Sequence, residues 1–354
     1  MTILEILLII LPSLTYPLIC LSYYFVLRQK RSEVFRLIKG PTLQRYLIAY
    51  GLFYEVDGKK EYHEEQLFRK YYDWKGYILP NILNMISAAT LSLIFFTQQK
   101  LITVTDSSVS NFIFTIPLTV VTGFTGAYIW SHYDLLRRFF VVDLSPQPLY
   151  NMWIRFMVCG ILAYLISPAF KEPVALLIAF GIGTFPAHTI NNFLRKRVIE
   201  KLKFVEEIKD YEKPNLHLLQ GMTKYVIERF EEENIYSAQH LALADPIRLL
   251  MKTNFEWTVL LDYIDQAILY CYVGNKISEI RECGVRCAIE LFCLNKKLIS
   301  NDNTKIQFAK DQIRIIAARL KWEEISVANL LDILHDDDQL NFIYDLWSEA
   351  FPQE

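Results

Sequence analysis

CGVRCAIELFC, residues 283–293, sets a glycine directly before a helix-forming run: Gly284, apolar Val285, then Ala288 and Leu291 on one helical face. ENIYSAQHLAL, residues 233–243, repeats the pattern with Asn234, Ile235, Ala238 and Leu241. Gly and Asn accept a positive φ at low cost, so each stretch reads as a turn joining two helices. The apolar residue packs between the helices, the small one lets them approach, and Leu continues the same face. A third copy is Asn254, Phe255, Thr258 and Leu261; a fourth is Glu324, Ile325, Ala328 and Leu331, which reads equally as a helix start with Ser326 as N-cap.

Outward from these turns the apolar period is helical from 222 to 354, with no alternating strand pattern of useful length. Helices are predicted at 223–232, 237–244, 246–252, 256–272, 276–282, 285–295, 305–320, 327–335 and 339–350. Residues 222–354 therefore read as an all-α domain, large enough for its own core.

The front half has a different character. A hydrophobic fraction of 53% and a mean hydropathy of +0.19 are high for a soluble chain. Up to residue 199 there are 19 Lys and Arg against 12 Asp and Glu; beyond it, 18 against 27. A basic half is joined to an acidic one. Five apolar stretches, at 3–27, 77–96, 112–132, 149–170 and 174–190, have the length of membrane spans. Residues 1–199 thus read as a five-span transmembrane helical module. Basic clusters at Arg28, Lys30 and Arg31, at Arg69, Lys70 and Lys75, at Arg137 and Arg138, and at Arg195, Lys196 and Arg197 mark the cytoplasmic side, which places the N-terminus outside. The first span has neither the basic start nor the cleavage site of a signal peptide and reads as a retained anchor.

The inner loop 28–76 contains FYEVDGKKEY, in which Asp57-Gly58 predicts a hairpin turn, and SEVFRLIKG, with helical spacing. Residues 200–221 read as a charged linker helix.

Over about residues 225–294 the turns resemble the helix-hairpin-helix modules of the SAM-like superfamily. In that family a Gly–apolar–Gly hairpin lets backbone N–H groups at the second helix hold a DNA phosphate. The resemblance lies at the second glycine position, here Asn234, Asn254 and Gly284; the first holds Glu232, Lys252 and Glu282. Carboxylates there and the acidic balance oppose a phosphate. The tandem modules read first as helix packing, second as recognition of a cytosolic protein or small ligand, and third as a nucleic-acid contact. An anion would find its best place at Lys252, beside Thr253 and Asn254.

No catalytic constellation stands out among the six histidines. Cys283, Cys287 and Cys293 have no second pair at metal-ligand spacing and read as core-filling thiols. His335 to Asp338 reads as a solvated acidic turn. No cofactor or metal is implied. A polar cluster of Asn81, Asn84, Arg155 and His188 is expected in the membrane module, with Arg155 snorkelling toward headgroups, and Gly123, Gly126, Gly181 and Gly183 suit close helix approach. The combination predicts a non-enzymatic, multi-pass, bacterial-type inner-membrane protein. It would be a homo-oligomeric effector or pore-type assembly in the lipid bilayer, regulated by a cytoplasmic helical domain. The alternatives are a scaffold docking a cytosolic protein and a membrane tether for nucleic acid.

Overall fold

The computed structural model describes residues 10–23, 46, 53–56, 59–62, 72–103, 116–184 and 215–350. The chain divides into two compact units, one of Met1–Arg31 with Phe68–Ile208, the other of Ser32–Leu67 with Lys209–Glu354. Residues 32–67, read from sequence as an inner loop of the first domain, group with the second unit.

Among the described residues the first unit is helical: α1 (Ile10–Tyr23), α2 (Lys75–Thr103), α3 (Leu118–Phe140), α4 (Pro146–Ile166) and α5 (Glu172–Thr184). Among the described residues two stretches, Lys75–Phe95 of α2 and Pro146–Ile166 of α4, are long and apolar enough to cross a membrane, where the sequence reading expected five spans over the whole module. The described part of α5 is 13 residues, about 20 Å at 1.5 Å per residue, and residues 185–190 of the predicted fifth span lie outside the described residues. α3 has the length, at 23 residues, but Thr119, Thr122, Thr125, Ser131, His132 and Asp134 dilute its apolar run. It also runs past the predicted end at 132, so Arg137 and Arg138 lie on the helix and not in a loop. His188, with the end of the predicted fifth span, lies outside the described residues.

α3 and α5 pack backbone to backbone through glycine, as the spacing predicted. A Cβ on Gly126 would stand 2.5 Å from the Phe180 carbonyl oxygen, and one on Gly183 would stand 2.4 Å from that of Gly123. Only a residue without Cβ permits this approach. Beside the seam, Val120, Ala163 and Ala179 form a small core lined by Phe124.

In the second unit, β1 (Phe53–Val56) pairs antiparallel with β2 (Lys59–Tyr62), Val56 opposite Lys59 across a two-residue connection. This is the hairpin that Asp57-Gly58 predicts. The predicted helix at 32–40 and residues 200–214 of the predicted linker helix lie outside the described residues, and 215–221, expected to continue that helix, form a 3-10 turn and a bend instead. From a 3-10 turn at Asn215–Leu218 the chain continues through α6 (Lys224–Glu232), α7 (Ala238–Ala242), α8 (Pro246–Lys252), α9 (Trp257–Val273), α10 (Ile277–Glu282), α11 (Ala288–Leu298), α12 (Asn303–Leu320), α13 (Glu324–His335) and α14 (Asp338–Ala350). α9 is the central rod, apolar on nearly every face, with Leu260, Leu261, Ile264, Ile268 and Leu269 buried. Helices α7, α8, α11 and α14 surround it. Tyr46 belongs to this unit, its hydroxyl donating to Asp245 at 2.6 Å and its ring stacking on Phe342.

Candidate functional site

The first two copies of the turn pattern fold alike. α6 ends with Asn234 at φ 64° and α10 with Gly284 at φ 85°, the positive values that the residue types predict. In each, the next residue closes the helix end: Ile235 N–H donates to the Phe230 carbonyl, and Val285 N–H to that of Ile280. These are left-handed helix stops of the Schellman kind. Burial repeats too, since Ile235 and Val285, Ala238 and Ala288, and Leu241 and Leu291 are all in the core.

The other two copies differ. Asn254 does not take a positive φ; α8 instead ends on extended Thr253, whose buried hydroxyl donates to the Leu249 carbonyl at 2.7 Å. A β-branched residue tied back to its own helix lets the chain leave straight rather than turn. In the fourth copy the left-handed residue is Lys321, three positions before Glu324; Glu323 rather than Ser326 is the N-cap, and Ile325 is exposed.

The hairpins' positive ends are occupied from within the chain. Lys252, expected to suit an anion, places Nζ 2.6 Å from Glu233 Oε2, and buried Arg229 pairs with Glu232 and Glu233, both at 3.1 Å. The Arg229 guanidinium also donates to the Lys252 carbonyl. At the first hairpin's second helix, Ala238 N–H donates to Asn215 Oδ1 at 2.7 Å. At the second hairpin, Ile289 N–H donates to Asp265 Oδ1 at 3.0 Å, and Arg286 N–H to Glu290 Oε2. Glu282, in the first glycine position, pairs with Arg319. Burial pushes the Asp265 carboxyl up to about 7, against the pull of its hydrogen bonds from Cys287, Ile289 and Ala288. Burial and the Asp265 carboxylate push the Cys287 thiol up.

Polar side chains in the first unit turn inward. Asn84 Nδ2 donates to the Pro80 and Leu149 carbonyls at 2.8 and 2.9 Å, and Cys20 donates to Asn81 at 3.4 Å. Arg155 does not snorkel: it is 5% exposed, donates to the Gly183 carbonyl from Nε and Nη2 at 2.9 and 2.7 Å, and lies 3.8 Å over the Trp130 ring. The predicted cluster thus resolves into two groups of partners, Asn81 and Asn84 toward α1 and α4, and Arg155 toward α3 and α5.

Beyond the prediction lie Asp134, Arg138 and Asp143, all buried, with Arg138 Nε 2.8 Å from Asp134 and Nη1 3.8 Å from Asp143. Their sequence signal was a carboxylate and an arginine four apart, one face of a continuing helix. The α3–α4 turn beside them carries Val142 at φ 55°, an unusual conformation for a β-branched residue. It is held by the Tyr23 hydroxyl, which accepts from Leu144 N–H at 3.0 Å, and the Tyr77 hydroxyl, which donates to the Leu144 carbonyl at 2.7 Å.

Exposed large side chains of the first unit are instead apolar: Leu11, Leu18 and Leu21 on α1, Ile86 on α2, Ile161 and Leu165 on α4, and Leu177 on α5. A helical unit with buried ions and an apolar exterior is thus joined, in one chain, to a helical unit with an apolar core. In comparison with known proteins, no family, no curated protein and no solved structure matches the chain. Among the described residues no His, Cys, Asp and Glu cluster of metal-binding form is present.

Proposed function

We propose that the protein is a non-enzymatic membrane effector, in which the first unit assembles in a lipid bilayer as a homo-oligomer and the acidic helical unit controls that assembly from the cytoplasmic side of a bacterial-type inner membrane. The observation that carries this reading is the inverted first unit. Asn84, Asp134, Arg138 and Arg155 are interior while leucine and isoleucine face outward, the arrangement that hydrocarbon favours and water does not. Lys75 at the start of α2 and Arg137 in the last turn of α3 would face the cytoplasm by their positive charge.

The helical unit then acts as the sensor or docking module, its turns being degenerate helix-hairpin-helix elements of SAM-like type. A protein or small ligand suits it better than nucleic acid. The backbone donors and cations a phosphate would use are already taken by Asn215, Asp265, Glu290 and Glu233, whereas Tyr236 and Leu243 beside the first hairpin are exposed. Those two side chains also favour the second reading, a membrane scaffold that docks a cytosolic protein without conduction.

The deciding experiment reconstitutes the full chain in liposomes and measures ion and dye flux. Flux above that of empty vesicles is expected for the effector. No flux at any protein-to-lipid ratio, with the chain correctly inserted, leaves the scaffold. A salt-dependent gel shift with duplex DNA would overturn both in favour of a nucleic-acid tether.

A further inference from the structure

Away from the hairpins, one helix reverses the charge of its unit. Residues 296–321, which hold α12 and its flanks, carry 7 Lys and Arg against 2 Asp, whereas the rest of 200–354 carries 11 against 25 Asp and Glu. α12 packs on the unit through Ala309, Ile313, Ile316, Ala317 and Leu320, all buried. Its opposite face is not purely polar. Phe308 and Ile315, seven residues and hence two turns apart, are each 49% exposed on one side of the helix, and Ile299, just before it, is 65% exposed. Cations surround this apolar row. Lys297 Nζ lies 4.8 Å from the Phe308 ring centre, Lys305 is exposed one turn before Phe308, and exposed Arg314 and Arg319 stand to either side of Ile315. Their pairs with Asp302, Asp311 and Glu282 are surface pairs, which are weak in water and exchange readily. Lys297, Thr304, Lys305 and Phe308 line a cavity of about 290 Å³.

We propose that this face of α12 docks on an anionic lipid surface, with Ile299, Phe308 and Ile315 entering the headgroup layer and Lys297 and Lys305 meeting lipid phosphates at the cavity between them. A basic helix with an exposed apolar row is the form that lies along a bilayer interface, its apolar side chains below the phosphates and its cations level with them. The charge is complementary, since anionic lipid gives the cytoplasmic leaflet a negative surface that attracts lysine and arginine. The chain also supplies proximity. This unit is joined to the first at 31–32, 67–68 and 208–209, so a bilayer that holds the first unit is present to α12 at high effective concentration. The lipid composition of the leaflet then becomes an input to the helical unit, through a face that the hairpins do not use.

The test places the full chain in nanodiscs of phosphatidylcholine alone or with about one third phosphatidylglycerol. It measures, peptide by peptide, how fast a water-soluble reagent acetylates each lysine, with Lys224 of α6, 80% exposed, as the internal reference. Relative to Lys224, Lys297 and Lys305 should label about threefold or more slowly on the anionic discs, and about 0.5 M salt should remove the difference. Phe308→Ser, at a position already half in solvent, should weaken the protection of Lys305. Equal labelling on the two discs, as a second copy or an acidic protein on this face would give, overturns the proposal. So does the same protection on phosphatidylcholine discs from inorganic phosphate or duplex DNA, which would make the face a free-anion or nucleic-acid site. Protection that Phe308→Ser leaves unchanged overturns it as well, because the apolar row would then take no part. The proposal rests on the reading that the chain sits in a bilayer, not on conduction. A chain that enters neither disc overturns that reading and this one together, whereas a chain that enters both discs and labels equally overturns this one alone.

Discussion

The two units solve opposite problems with the same helix. In the second, α9 buries an apolar rod, and the Asp265 carboxylate well inside it is held by the N-terminal donors of α11. In the first, the outside is apolar and the inside carries the Asp134, Arg138 and Asp143 group, Arg155 and Asn84. The lesson is that burial does not rank residues by hydrophobicity until the solvent is named. Water leaves apolar surface to be hidden, whereas hydrocarbon leaves every polar group to find a partner within the protein.

The largest effect should come where the first unit's backbones touch. Gly183→Leu would force α3 and α5 apart, because its first side-chain carbon already collides with the Gly123 carbonyl. A loss of about 3 kcal/mol or more is expected in denaturant titration of the full chain in mixed micelles, at the upper end for overpacking. A variant as stable as wild type would show that the seam is looser than described, and the contrast between the units would weaken.

Next in size is the hairpin. Gly284 has open space where a Cβ would go, so a side chain there is opposed by the backbone conformation and not by crowding. Gly284→Val should cost about 1–3 kcal/mol, read as faster amide exchange in α10 and α11, while Gly284→Asn should stay close to wild type, as Asn234 does in the sister turn. Asn254→Val, by contrast, should change little through φ, because that position is not left-handed. Equal exchange in all three variants would remove the distinction drawn between true and apparent copies.

The smallest effect is a slope. Asp265 is raised in the folded chain to about 7 by burial, so between its unfolded value near 4 and about 7 the folded state holds more protons than the unfolded one. Its contribution is therefore full at low pH and is lost as pH rises toward 7, by at most about 1.4 kcal/mol per pH unit. Asp265→Asn should flatten exchange-derived stability of α11 over pH 4–7 relative to wild type. An unchanged slope would mean that the α11 donors hold the carboxylate as an ordinary anion.

Much of this was legible in the chain. Helical period, the Asp-Gly hairpin, the left-handed stops at Asn234 and Gly284, and the glycines of the α3–α5 seam are local properties, written in residue types a turn or two apart. So is the inventory of apolar stretches, although not which of them have the length and purity to cross a bilayer, since α3 continues two turns past the predicted end at 132 and carries Asp134, Arg137 and Arg138 on the helix. What the sequence could not decide was the partner of each charge. Lys252 looked open to an anion, and only folding brought Glu233, 19 residues earlier, to 2.6 Å from it. Arg155 had the length to reach the headgroups, yet the close approach of α3 and α5 put the Gly183 carbonyl and the Trp130 ring within its grasp. His132 was one histidine among six until α1 brought Thr15 to it across 117 residues. Turn and helix preferences act through neighbours along the chain, whereas ion pairs and hydrogen bonds act through space, so the first are fixed before folding and the second only by it.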